Sequence, residues 1–63
     1  MRISLKAARV NKGYTQKEFA ALLDVTKKTV SAWEKYESHP RADKIDSICR
    51  VLDVPYDNIK WTS

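Results

Sequence analysis

The stretch Gln16–Lys35, QKEFAALLDVTKKTVSAWEK, reads as two short helices joined by a tight turn. Its apolar residues fall at Phe19, Ala20, Leu22, Leu23, Val25, Val30 and Trp33. That is helical spacing on either side of an interruption at Asp24-Val25-Thr26. Small Ala20 sits mid-segment, where a second helix has to cross closely. Thr15-x-x-Glu18 has the form of a capping box for the first of these helices, with Tyr14 and Phe19 placed for the accompanying hydrophobic staple. Thr26 caps the second, with Val25 and Val30 in the same relation. Between the buried-looking Val25, Val30 and Trp33 lies a polar edge of Lys27, Lys28, Thr29 and Ser31, with Ala32 beside it.

A helix that packs by one edge and offers a short basic edge outward suits the major groove of DNA. Lys27 and Lys28 stand in its first turn, at the positive end of the helix dipole. Cations there lose about 0.3–1 kcal/mol each compared with an anion-friendly arrangement. A local rule broken twice in succession points to function. DNA supplies the missing negative potential, and lysine can donate to guanine O6 and N7.

Working outward, the pattern predicts a first helix over Ser4–Lys12, ended by a left-handed Gly13. A fourth spans Ala42–Leu52, with Ile45, Ile48, Cys49 and Leu52 as one apolar stripe. A short fifth follows Pro55, over Tyr56–Lys60. The expectation is an all-α chain with five helices and no sheet. The chain has 63 residues, one Gly, two Pro and no low-complexity tract, and is expected to form one domain, 1–63. Net charge is +4 and unevenly placed. Residues 1–41 carry nine Lys or Arg against four acids, and residues 42–63 carry three against four. One basic face meeting phosphate fits that division.

These residues carry a family resemblance. Gln16, Ala20, Val25, Val30 and Trp33-Glu34 stand at the characteristic positions of the Cro/repressor-type (XRE-type) helix-turn-helix, with Arg9 upstream and the run Pro40–Trp61 downstream. The chain resembles that family over nearly its whole length. The likeness implies a compact lambda-repressor-like bundle with the helix-turn-helix in helices 2 and 3. It implies base reading by Lys27, Lys28, Thr29 and Ala32, a phosphate contact at Gln16, and an ion pair between Arg9 and Glu34. Ser31, Lys35, Arg41 and Lys44 are the next candidates for backbone contact, Arg41 towards a narrowed minor groove. Asp24, Tyr36 and Asp53 depart from the pattern, standing where the family favours glycine in a left-handed conformation. Asp tolerates that backbone better than Tyr, so the loop after Glu34 is expected to take another path.

Trp33 reads as core. Trp61 either folds back on helix 1 or joins Tyr56 and Ile59 in an apolar patch for a second subunit. The resemblance implies double-stranded DNA as partner, a homodimer reading two half-sites, and a transcriptional repressor acting by operator occupancy, of phage or mobile-element type. The rival reading is a protein-interaction module such as an antitoxin or anti-repressor. His39 lacks neighbours at metal-ligand spacing, and no Gly-rich phosphate loop or Ser/His/Asp set can be placed. Neither catalysis, nor a metal, cofactor or small-molecule ligand, is expected. No apolar run approaches a membrane span. A lone Cys49 fits a reducing cytoplasm.

Overall fold

A computed structural model describes residues 2–63. In chain order it contains β1 (Ile3–Ser4), α1 (Leu5–Asn11), α2 (Gln16–Leu22), α3 (Lys27–Glu34), α4 (Ala42–Leu52), a single 3-10 turn (Tyr56–Asn58) and β2 (Ile59–Lys60). Leu5, Ala8, Phe19, Ala20, Leu23, Val30, Trp33, Ile48, Leu52 and Ile59 form one buried cluster fed by every helix.

Local sequence starts the helices. Ser4 caps α1, its hydroxyl accepting from the Ala7 amide at 3.0 Å. Thr15 and Glu18 form the reciprocal box on α2: Thr15 Oγ accepts from the Glu18 amide at 3.0 Å, and Glu18 Oε1 accepts from the Thr15 amide at 2.9 Å. The Thr15 amide first, and the Thr15 hydroxyl second, hold the Glu18 carboxyl below its ordinary range. Tyr14 stacks on Phe19 with ring centroids 6.4 Å apart. Thr26 caps α3 through the Thr29 amide, at 3.2 Å.

All four helices end the same way. The residue after the last turn is left-handed: Gly13 (φ 83°), Asp24 (58°), Tyr36 (60°) and Asp53 (54°). Its amide, and the amide after it, bond back to carbonyls in the last turn, as Tyr36 N to Trp33 O at 3.1 Å and Glu37 N to Ala32 O at 2.9 Å. This is the Schellman pattern. Tyr36 therefore does not divert the loop, contrary to the sequence expectation. The two backbone bonds outweigh a left-handed penalty of roughly 1–2 kcal/mol, and the Tyr36 hydroxyl lies 3.5 Å from the Lys60 carbonyl.

The expected fifth helix is also corrected. Only one 3-10 turn forms at Tyr56–Asn58, too short to nucleate an α-helix. β-Branched Ile59 then leaves it extended. Ile59 pairs in parallel with Ile3 and Lys60 with Ser4, so the chain carries a two-stranded sheet after all. Ile59 is 1% exposed and belongs to the core, not to a patch for a second subunit. Trp61 is half-buried against the core, stacked on Tyr56 at 5.4 Å, and donates from Nε1 to the Tyr56 carbonyl at 3.0 Å. Tyr56 remains 51% exposed.

Candidate nucleic-acid interface

The α2–turn–α3 unit presents the polar edge anticipated from sequence. Val30 and Trp33 anchor α3 in the core, while Lys27, Lys28 and Lys35 are exposed and Thr29, Ser31 and Ala32 are half-buried. Neither Lys27 nor Lys28 has a carboxylate partner: the ion pairs among the described residues are Arg9–Glu34 and Arg50–Asp46. The Thr29 hydroxyl lies 3.0 Å from that of Thr26. Since Thr26 Oγ already accepts from the Thr29 amide, a proton donated by Thr26 leaves the Thr29 hydroxyl free to donate outward.

Behind this edge lies a buried polar hub. Glu34 ends α3 with its side chain only 4% exposed, and Arg9 of α1 meets it at 8%. Arg9 Nε donates to Glu34 Oε2 at 2.6 Å and its Nη2 to Oε1 at 3.2 Å, a bidentate pair. Arg9 Nη1 donates to the Tyr14 carbonyl at 2.7 Å. Gln16 Nε2 also donates to Glu34 Oε1, at 2.9 Å. A glutamine amide carries two N–H groups, so one of them is held by Glu34 and the other is left for an acceptor outside. Glu34 thus links α1, the start of α2 and the end of α3. The Arg9–Glu34 pair is the one the family resemblance implied. The Gln16–Glu34 bond was not foreseen, because the resemblance gives Gln16 to a phosphate and no local signal ties it to Glu34.

The other candidates stand on other elements. Arg41 immediately precedes α4, exposed, with no side-chain cap bond. Lys44 is half-buried and donates from Nζ to the Leu23 carbonyl at 2.7 Å. His39 Nδ1 lies 2.9 Å from the Pro40 carbonyl, and no metal-ligand cluster occurs among the described residues. Burial, then the nearby Asp46, pushes the Cys49 thiol up, as suits a small packing residue and not a nucleophile. Among the described residues, no helix is long and apolar enough to cross a membrane.

Four packed helices, a left-handed turn between the second and third, and a basic edge on the third define a helix-turn-helix DNA-binding domain. The helix-turn-helix family model matches residues 5–59, nearly the entire chain. The chain belongs to that family, of the Cro/repressor (XRE) type, whose members are DNA-binding regulators. No curated protein and no solved structure matches it.

Proposed function

We propose that the chain represses transcription by occupying an operator as a homodimer, with α3 of each copy in the major groove. The observation that carries this is the pair Lys27–Lys28: exposed, adjacent, at the positive end of α3 and without a carboxylate partner. In this reading Lys27, Lys28, Thr29 and Ala32 meet base edges, the first two as hydrogen-bond donors and Ala32 through apolar contact with a thymine methyl. Gln16, Ser31, Lys35 and Arg41 meet phosphates. Gln16 does so with the N–H that Glu34 leaves free, which fixes the rotamer before DNA arrives.

Tyr56 and Trp61 supply the surface for the second copy. The exposed phenol stacked on a half-buried indole is the apolar feature nearest the end of the described chain. Twofold pairing there sets two α3 helices against half-sites about 34 Å apart.

Fluorescence anisotropy with random-sequence and selected duplexes at two salt concentrations tests the reading. With six to ten phosphates contacted per dimer, affinity falls roughly 10³–10⁵-fold between 50 and 200 mM salt. No binding to any duplex at low salt would sink it and favour the protein-interaction alternative, for which the Tyr56–Trp61 surface is the place to look.

A further inference from the structure

One lysine does not behave like the others. Lys44 lies in the first turn of α4, where the helix dipole opposes a cation. Its amine reaches across to the Leu23 carbonyl, at the carbonyl end of α2, where partial negative charge collects. That carbonyl is open to it because the helix stops there: the amides three and four residues on, Thr26 N and Lys27 N, do not bond back to Leu23 O. The turn it touches contains Asp24 in a left-handed conformation, imposed by the bonds Asp24 N to Ala21 O and Val25 N to Ala20 O. Leu23 is three residues from Thr26, the cap of α3, so the carbonyl that Lys44 meets belongs to the turn that leads into Lys27 and Lys28.

We propose that Lys44 is a positioning residue for base reading: through Leu23 it fixes the helix-turn-helix turn, and with it the depth and tilt of α3, without binding phosphate itself. The proposal rests on the DNA-binding reading above. It separates half-buried Lys44 from Lys27, Lys28 and Lys35, which are exposed. It also gives α4 a task at the DNA face that needs no contact with DNA.

The test compares the unaltered chain with Lys44→Met, which keeps the stem and loses the amine, and Lys44→Arg, which keeps a donor. Affinity is measured for a selected duplex and a random one across a salt series, and amide hydrogen exchange is followed in the DNA-free protein. For Lys44→Met the expected loss is about tenfold on the selected duplex, comparable to one mismatched base pair. Affinity for the random duplex and the salt slope stay nearly unchanged, exchange quickens at Asp24 and Val25, and Lys44→Arg recovers most of the discrimination. If Lys44→Met does not fold, Lys44→Gln, polar but too short to span to Leu23, takes its place.

Equal weakening on both duplexes, with a salt slope lower by about 0.9 per copy, would make Lys44 a phosphate ligand and overturn the proposal. Faster exchange with discrimination intact would reduce Lys44 to an ordinary helix cap and overturn it too. Binding of neither duplex by the unaltered chain strikes the DNA reading itself, and this role with it. Binding by the unaltered chain with Lys44→Met indistinguishable from it strikes only Lys44.

Discussion

The two ends of α3 break the same electrostatic rule, and only one of the breaches is compensated inside the protein. The helix has no acid in its first turn and no base in its last; instead it opens on Lys27-Lys28 and closes on Glu34. Both arrangements oppose the dipole. At the closing end, the fold surrounds Glu34 with donors from Arg9 and Gln16 and removes it from water. At the opening end, the lysines are left in solvent with no carboxylate. A misplaced charge that the fold neutralises belongs to its architecture. In the function proposed above, a misplaced charge that it leaves exposed is where a partner of opposite sign is to come.

Breaking the compensated end gives the largest effect. Arg9→Met leaves the buried Glu34 carboxylate with Gln16 as its remaining side-chain donor and takes the Arg9 donor from the Tyr14 carbonyl, and urea unfolding should record a loss of about 3–5 kcal/mol. Adding Glu34→Leu should restore much of it, giving a coupling energy that two solvated charges would not show. At the other end, Lys28→Ala should lower discrimination at one base position by about 1–3 kcal/mol in competition binding and relax that position in a selection. Gln16→Ala should weaken selected and random duplexes alike. Equal loss from both variants on every sequence would dissolve the distinction between base and phosphate contacts.

Lys27→Glu sharpens the contrast, because its two effects have opposite sign. Thermal unfolding should show a gain of about 0.3–1 kcal/mol from the repaired dipole, while DNA binding is lost. The smallest effect is a pH dependence at the start of α2. The Glu18 carboxyl is depressed in the fold, so its contribution is complete above its ordinary value of about 4.5 and disappears as pH falls through the lower folded value. The Tm difference between the unaltered chain and Glu18→Gln should therefore narrow below about pH 4.5.

Much of this was legible in the chain because the signals are local. A cap, a box or a staple needs residues three to five apart, and Thr15, Glu18, Tyr14, Phe19 and Thr26 all took the places their spacing announced. The stripe on α4 was legible for the same reason, with Ile48 and Leu52 fully buried. Of the contacts between distant positions, the Arg9–Glu34 pair came from the family resemblance, and the others left no trace in the pattern. Ile3 and Ile59 are each one more β-branched residue until they pair. Lys44 read as a candidate for DNA-backbone contact, because nothing near it in sequence hints at Leu23. Tyr36 misled for a different reason. Residue preference spoke against the left-handed backbone, yet the hydrogen bonds that end a helix impose it whatever side chain is there.

The short β1–β2 pair has a consequence in time. It joins positions 3 and 59, so it closes almost the whole chain into a single loop. The entropy of that closure must be met before the contact returns anything, whereas α2 and α3 assemble from neighbours in sequence. The pair is thus placed to form late, after the transition state. Contacts absent from the transition state leave the folding rate nearly unchanged and slow escape from the native state. Ile59→Ala should then raise the unfolding arm of a chevron while the folding arm barely moves. Two residues of strand at either edge of this helical chain would act as a clasp that governs how long the DNA-reading form lasts.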